Sequence, residues 1–422
     1  MDIYRIKGGK KLNGEVNISG SKNAALPIIA ASLLTDGETI LNNVPDLMDI
    51  KTICKGIEYL GAVSQHDTKN NILKIKTSSL KNNKIPYDLV KTMRASYYVM
   101  GPMLARIGEA DVSLPGGCAI GERPIDIHLA GFESLGAKIE IEHGYVKARS
   151  RKLKGNNFVM RKVSVGATAN IMMASVLANG ITVLENCAME PDVVDLGNFL
   201  IQMGADIKGL GTETITIKGV KKINPVTYTV MPDRIEAGTY LLAGAVTRGK
   251  VKINNVVPNH IGALMHHLSE MGFAITQGDE WVEIEPSKKI KGAIIRTMPF
   301  PGFPTDLQAP MMSLMSTIPG ISVIIETIFE KRYTHVAELK RMGADITLEG
   351  DVAIIKGIKK LSSATVMMSD LRAGAALVLA ALAADNESEI RRIYHSDRGY
   401  EKLSEKLLSI GADIKREVGG KP

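Results

Sequence analysis

Hydrophobic and polar positions along this 422-residue chain repeat on a long period. A helical pattern closing on Leu/Met/Ile-Gly-Ala/Phe, followed by a strand-like run, occurs six times. The copies are Leu60-Gly61-Ala62, Leu135-Gly136-Ala137, Met203-Gly204-Ala205, Met271-Gly272-Phe273, Met342-Gly343-Ala344 and Ile410-Gly411-Ala412. The glycines lie 75, 68, 68, 71 and 68 residues apart. Each reads as the residue just past a helix, where the left-handed conformation carries no Cβ penalty. After five of them the pattern shifts to period two, as in Ala344-Asp345-Ile346-Thr347-Leu348. Glu349-Gly350-Asp351 then turns the chain into Val352-Ala353-Ile354-Ile355, a hairpin signal.

Each unit carries a second helix, rich in small residues and apolar nearly all round, which predicts burial on every side. The clearest are Asn23 to Leu34, Ala167 to Leu177, Ala237 to Val246 and Ala373 to Ala384. Strand-like runs such as Thr182-Val183-Leu184 follow them. A unit of about 70 residues with two helices and several strands is too long for a common solenoid repeat and predicts a small α/β subdomain.

The chain ends predict how the units group. The last copy stops at Glu417, before its second hairpin strand, while Ile6-Lys7-Gly8-Gly9-Lys10-Lys11-Leu12 resembles Ile217-Lys218-Gly219-Val220-Lys221-Lys222-Ile223 and Ile355-Lys356-Gly357-Ile358-Lys359-Lys360-Leu361. Residues 1–20 are therefore expected to complete the sixth unit. The expectation is a continuous domain over 21–230 and a discontinuous one built from 1–20 and 231–422, with two crossings of the chain.

Composition narrows the class. A hydrophobic share of 45% and a charged share of 23% fit a globular protein and exclude a disordered or collagen-like chain. The longest apolar run, Ala373 to Ala384, is 12 residues, too short to span a bilayer. The start, Met1-Asp2-Ile3-Tyr4-Arg5-Ile6-Lys7, lacks the apolar stretch of a secretory signal, so a cytoplasmic, non-membrane protein is expected. Cys54, Cys118 and Cys187 are too few and too widely spaced for a disulfide framework or a metal site. A net charge of +7 favours an anionic partner; with aromatics at 5%, a small anionic substrate fits better than a nucleic acid.

Aligning the units collects unusual residues at the start of the buried helix: Lys22-Asn23, Met93-Arg94, Val165-Gly166, Arg234-Ile235-Glu236, Thr305-Asp306 and Leu371-Arg372. Helix N-termini expose free N–H groups and a partial positive charge, which suits phosphate and carboxylate. Lys22, Arg94 and Arg372 have the wrong charge for such an end unless an anion or an acid sits beside them. For a single residue the ordinary arrangement is an ion pair with a nearby acid, for instance Arg372 with Asp370. Three at equivalent places favour an anion trap, expected in a cleft between the two domains.

One loop breaks the repeat. Leu114-Pro115-Gly116-Gly117-Cys118-Ala119-Ile120-Gly121-Glu122-Arg123-Pro124 sets a thiol among glycines and prolines with Arg123 nearby, where a cation favours the thiolate. Cys54 and Cys187 read instead as inert small hydrophobes. Asp306, after Pro301-Gly302-Phe303-Pro304-Thr305, is either a helix cap or a carboxylate that accepts a hydroxyl proton. In Tyr394-His395-Ser396-Asp397-Arg398-Gly399, His395 reads as structural and Arg398 as an anion ligand.

These residues carry a family likeness. With Ser19-Gly20-Ser21-Lys22-Asn23-Ala24-Ala25, the cysteine loop, Pro301 to Asp306, Ser369-Asp370-Leu371-Arg372 and Asp397-Arg398-Gly399-Tyr400 in order, the chain resembles the enolpyruvyl transferase family over essentially its whole length. The resemblance implies two inside-out α/β barrel (prism) domains, each of three βαβαββ units, with the active site in the cleft between them. It also implies transfer of the enolpyruvyl group of phosphoenolpyruvate to the 3′-hydroxyl of UDP-N-acetylglucosamine. Phosphate leaves through a tetrahedral ketal, in the first committed step of peptidoglycan precursor synthesis.

By the same resemblance, Cys118 protonates the methylene carbon, forms a covalent adduct with phosphoenolpyruvate and is alkylated by the epoxide fosfomycin, while Asp306 takes the sugar hydroxyl proton. Lys22 and Arg398 complete the catalytic set. Lys22, Asn23, Arg94, Arg123 and Arg398 match positions that contact phosphoenolpyruvate. Asn23, Arg94, Arg123, Pro124, Ile125, Asp126, Ile127, Lys162, Ser164, Val165, Gly166, Asp306 and Ile328 match contacts to the nucleotide sugar, and Asp370 with Arg372 matches a supporting pair. No metal or cofactor is implied. Two other readings stay open: a 5-enolpyruvylshikimate-3-phosphate synthase, against which the loop cysteine argues, and a non-catalytic relative that binds nucleotides or nucleic acid.

Overall fold

A computed structural model of the chain describes residues 2–87, 94–114, 125–287 and 289–419, without the side chains of residues 94 and 95. It contains six four-stranded sheets, each built to one plan. In one of them the short strand Asn157–Val159 is followed by the helix Val165–Ser175, the strand Ile181–Glu185, the helix Pro191–Gln202 and the hairpin Asp206–Lys208 with Thr214–Lys218. The short strand runs parallel to Ile181–Glu185, which pairs antiparallel with Thr214–Lys218. This βαβαββ order recurs around the chain.

The six repeat glycines sit at φ values of +110, +90, +108, +100, +85 and +95°, the left-handed turn that releases each outer helix into its hairpin. The other helix of each unit is the buried one. Arg234–Val246 and Gln308–Met315 are buried at every residue, and Leu371–Ala383 at every residue but Ala383. These helices are apolar on all sides because all sides meet protein. The sheets lie outside them, with strands such as Thr214–Lys218 burying alternate residues. Each fully buried Leu, Ile or Val contributes about 1.5–3 kcal/mol.

The chain divides into two units, one comprising Met1–Ser19 and Pro232–Pro422 and the other Gly20–Gly117 and Arg123–Met231. Each has its own apolar core. In the first, Arg234–Val246, Gln308–Met315 and Leu371–Ala383 pack on one another; in the second, Met100–Ile107 packs on Val165–Ser175, which also meets Lys22–Ala31.

The N-terminus completes the last repeat only in part. Ile3–Lys7 pairs with both Glu387–Arg391 and Asp413–Glu417, filling the place left by the chain end. Asn13–Asn17 belongs elsewhere: it is the first strand of the fourth repeat, parallel to Lys250–Asn254. Residues 1–20 thus serve two sheets where one was expected. Asn13-Gly14-Glu15-Val16-Asn17 buries only Val16, so it lacks the alternation seen in strands such as Thr214–Lys218. The first repeat takes its opening strand, Thr227–Thr229, from the far end of its own unit, parallel to Glu38–Asn42. Among the described residues no helix is long and apolar enough to cross a membrane.

The Ile-Lys-Gly motif marks a close approach. At Gly219 and Gly357 an added Cβ would overlap the carbonyl oxygens of Ala178 and Ile318, just beyond the buried helices Val165–Ser175 and Gln308–Met315. Gly357→Ala is therefore expected to lower stability by roughly 3 kcal/mol through forced backbone displacement. Gly350→Ala is expected to cost only about 1 kcal/mol, since Gly350 has φ +62° and nothing within 4 Å of its Cβ direction. Urea unfolding of both variants measures the contrast, and equal losses would remove the steric explanation.

Candidate active site

In the continuous unit, the helix Lys22–Ala31 is capped by Ser21, whose hydroxyl accepts the Ala24 N–H at 3.2 Å and donates to Asp192 at 2.8 Å. Asn23 is the only residue of that helix that is not buried. Lys22 is buried with Nζ 3.5 Å from Asp49. This basic residue at a helix start has the acid partner that its place in the helix field requires. Removing one member of such a buried pair typically costs about 3–5 kcal/mol.

The helix Val165–Ser175 repeats the arrangement. Ser164 caps it by accepting the Ala167 N–H at 3.2 Å, and Val165 and Gly166 are its only residues not buried. A Cβ at Gly166 would stand 3.1 Å from the His128 ring, a tight contact that any other residue would meet by shifting the ring. Asn170 donates one amide hydrogen to the Tyr97 carbonyl at 2.7 Å and holds the other 3.2 Å from His128 Nδ1. Burial pushes the His128 pKa down to about 4. The ring is neutral at pH 7, and with Nδ1 accepting, its proton sits on Nε2. Ile125 immediately precedes the helix Asp126–Ser134, Asp126 and Ile127 open it, and Asp126 pairs with Arg161. Lys162 is exposed.

In the discontinuous unit, Asp306 lies in the 3-10 turn Thr305–Leu307, which leads into Gln308–Met315. It does not cap the turn. Its two carboxylate oxygens accept from Arg332 and Arg372, each at 2.8 Å, and its side chain remains a quarter exposed. Arg372 is buried. Burial opposes its charge, but Asp306, Tyr400 and Asp233 outweigh it and its pKa is raised. Its guanidinium lies 5.6 Å from the centre of the Tyr400 ring.

Asp370 and Arg372 do not form the ion pair that their spacing invites. The Asp370 carboxylate caps its own helix, accepting the backbone N–H groups of Arg372 and Ala373 at 2.9 and 3.0 Å, which leaves the Arg372 guanidinium to Asp306. Burial would raise the Asp370 pKa, yet the Ala373 N–H, the Arg332 charge and the Thr334 hydroxyl hold it below the usual carboxylate value.

Arg398 ends the 3-10 turn Ile393–Arg398 and is half-buried, as is Ile328. Arg94 opens the 3-10 turn Arg94–Val99, which leads into Met100–Ile107. Cys118, Arg123 and Pro124 lie outside the described residues. Cys54 and Cys187 are buried, and burial pushes both thiols up to about 11, as inert thiols require.

No pattern in the sequence marks Arg332. It stands on the segment between the strand Ile321–Ile325 and the helix Val336–Arg341, away from the helix starts where the repeat exposes unusual residues.

A family model described as EPSP synthase (3-phosphoshikimate 1-carboxyvinyltransferase) matches residues 6–407. Over 416 residues the chain is 54% identical to the UDP-N-acetylglucosamine 1-carboxyvinyltransferase of Geotalea uraniireducens, covering 99% of each chain. It is also 54% identical over 414 residues to the UDP-N-acetylglucosamine 1-carboxyvinyltransferase 1 of Caldanaerobacter subterraneus subsp. tengcongensis, covering 98% of this chain and 99% of that one. The crystal structure of the enolpyruvyl transferase NikO from Streptomyces tendae matches with a TM-score of 0.88 at 25% identity, covering 98% of both chains. An EPSP synthase from Acinetobacter baumannii shares the fold, with a TM-score of 0.76 at 18% identity over 99% of this chain and 100% of that one.

His335, beside this carboxylate and arginine cluster, gives a pH test. Burial, with Arg332 reinforcing it and Asp370 opposing, pushes its pKa down to about 4, below the unfolded value near 6.5. The unfolded chain binds the proton more readily between these values, so the stability held by neutral His335 is complete above about pH 6.5 and lost as pH falls toward 4. His335→Gln is expected to flatten the acid loss of stability by up to about 3 kcal/mol. Urea midpoints of wild type and variant from pH 7 to pH 4 check this. Parallel curves would mean that His335 is not the group protonated on unfolding.

Proposed function

The chain belongs to the EPSP synthase family of enolpyruvyl transferases, and from that membership we propose that it moves the enolpyruvyl group of phosphoenolpyruvate to the 3′-hydroxyl of UDP-N-acetylglucosamine. The observation that carries the choice of acceptor is the shared name of its near-full-length relatives, which are called UDP-N-acetylglucosamine 1-carboxyvinyltransferases.

The reaction balances as an addition followed by an elimination. The 3′-oxygen bonds to C2 of phosphoenolpyruvate while C3 gains a proton, giving a tetrahedral ketal; C2 then loses phosphate and C3 loses a proton, restoring the double bond. Cys118 is the proposed proton donor to C3 and the site of a covalent adduct. Asp306 is the proposed acceptor of the hydroxyl proton. Two guanidinium groups fix the orientation of its carboxylate, and its partial exposure leaves room for a hydroxyl to approach. Proton transfer becomes favourable once bond formation to C2 has made the hydroxyl acidic.

Lys22, Asn23, Arg94, Arg123 and Arg398 are proposed to hold phosphoenolpyruvate, whose phosphate and carboxylate call for several cations. The half-buried first-turn residues Asn23, Val165 and Gly166 are proposed to face the nucleotide sugar together with Arg94, Arg123 to Ile127, Lys162, Ser164, Asp306 and Ile328. Asp370 and Arg372 act in support, Arg372 by holding Asp306. No metal or cofactor enters this scheme. Its place would be the cytoplasmic first step of peptidoglycan precursor synthesis, and an epoxide such as fosfomycin would alkylate Cys118.

Phosphate release from phosphoenolpyruvate is expected to require UDP-N-acetylglucosamine in the wild type and to collapse in Cys118→Ala, with fosfomycin adding one covalent equivalent at Cys118 by mass spectrometry. Release supported by shikimate 3-phosphate instead would move the chain to the shikimate branch. Release surviving in Cys118→Ala would leave the reaction but remove the thiol as its acid.

A further inference from the structure

The six repeats serve as internal controls for one another, and at one corner three of them share an arrangement that the fifth inverts. Where the second strand of a repeat ends, Asn43, Asn186 and Asn255 adopt left-handed backbone, with φ of 58, 58 and 56°. Each donates its side-chain amide to the carbonyl just after the neighbouring short strand: Asn43 to Val230 at 2.9 Å, Asn186 to Met160 at 2.7 Å and Asn255 to Ile18 at 2.7 Å. A neutral amide therefore suffices to tie that corner together.

In the fifth repeat the corresponding residue is Glu326, which follows the strand Ile321–Ile325, and the residue after the short strand Ile294–Arg296 is Thr297. The polarity is reversed. Glu326 is 3% exposed, and its Oε1 accepts the Thr297 hydroxyl at 2.9 Å and the Ile328 and Phe329 N–H groups at 2.9 and 3.1 Å. Its Oε2 accepts the Thr305 hydroxyl at 2.9 Å. Four donors match the roughly four acceptor sites of a carboxylate. Burying a charge is costly unless it is satisfied in this way, and the repeat shows that the corner itself does not need one.

The additional bonds all lead toward one residue. Thr305 immediately precedes Asp306, and the segment held through Ile328 and Phe329 continues to Arg332, which pairs with Asp306. We propose that Glu326 is a positioning residue that sets the place of the Asp306 carboxylate from both sides, through Thr305 and through the segment that carries Arg332. The inference rests on the reading that Asp306 takes the proton of the acceptor hydroxyl. A carboxylate held in register with that oxygen gives up catalysis steeply when it is displaced.

The test uses the full chain, with phosphoenolpyruvate and UDP-N-acetylglucosamine as substrates and phosphate release as the readout. Glu326→Asn restores the residue that closes the corner in other repeats but is too short to reach Thr305. It is expected to keep Tm within a few degrees while kcat falls roughly 10–100-fold and KM for phosphoenolpyruvate stays within about twofold. Thr305→Val is expected to lower kcat likewise, and Thr305→Ser, which keeps the hydroxyl, to restore it to within about threefold of wild type. If Glu326→Asn does not fold, the Thr305 pair alone decides. Unchanged kcat in Glu326→Asn and Thr305→Val, or equal losses in Thr305→Ser and Thr305→Val, would overturn the positioning role while leaving the proposed reaction intact. A wild type that releases no phosphate with this acceptor would overturn both, which separates the two failures.

Discussion

A helix enclosed by protein on every side cannot carry polar groups along its length without burying them, and this constraint orders the rest of the molecule. Arg234–Val246, buried at all of its residues, shows the consequence: its polar chemistry gathers at the first turn, where Asp233 accepts the Ile235 and Glu236 N–H groups and Glu236 meets Lys406 at 2.7 Å. Lys22–Ala31 and Leu371–Ala383 obey the same rule, capped by Ser21 and Asp370, while Val165–Ser175, capped by Ser164, buries Thr168 and Asn170 only with hydrogen-bond partners. The N-termini are also where unpaired N–H groups and the helix dipole concentrate. Fold and candidate chemistry therefore share one cause, because the burial that stabilises each unit drives its reactive residues to the ends of the same helices.

The sheets meet a second demand, that of enclosing those helices without leaving a gap in the ring. Each is completed by a short strand parallel to its second strand, and twice that strand comes from a distant part of the chain. Asn13–Asn17 closes the sheet of Lys250–Asn254, and Thr227–Thr229 closes that of Glu38–Asn42. The segments after these strands are tied within their own units: Asp233 donates its N–H to the Ser19 carbonyl at 2.9 Å, and Ser21 donates to the Met231 carbonyl at 2.7 Å. Closing each sheet with a borrowed strand makes the chain's passages from one unit to the other part of the hydrogen-bonded framework.

The sequence makes legible what recurs. Six helix-ending glycines, the all-apolar helices and the hairpins after Gly343 and its equivalents repeat at near-constant spacing, so each copy supports the others. The borrowed strands escape notice because three to five mostly polar residues at a sheet edge carry almost no hydrophobic signal, Val16 being the one buried side chain of its strand. The candidate site divides along the same line. Lys22, Asp306 and Arg372 stand out as charged residues at the start of helical segments that are otherwise apolar. Arg332 does not, because it lies on an irregular segment with no repeated frame to differ from. Glu326 was legible in principle: Asn43, Asn186 and Asn255 mark its place in three other repeats, and an acid in place of a neutral amide is the signal.

The charges at the helix starts follow a further rule. A cation in the first turn opposes the helix dipole, at a cost of about 0.3–1 kcal/mol before burial is counted. Lys22 and Arg372 both occupy such positions, and each is met by a carboxylate from outside its helix, Asp49 and Asp306 respectively. Asp370 does not relieve Arg372, since one of its oxygens accepts two backbone N–H groups of the same helix and the other the Thr334 and Ser369 hydroxyls, so the compensating acid comes from another repeat. A cation held by an acid of a different element keeps its position without a bound anion, and that acid is fixed in turn by the cation. Asp306 is the clearest case, because the carboxylate that neutralises Arg372 also pairs with Arg332 and still leaves a quarter of its side chain open to solvent. The same compensation that lets an arginine open a buried helix thereby leaves a partly exposed carboxylate held in a fixed orientation.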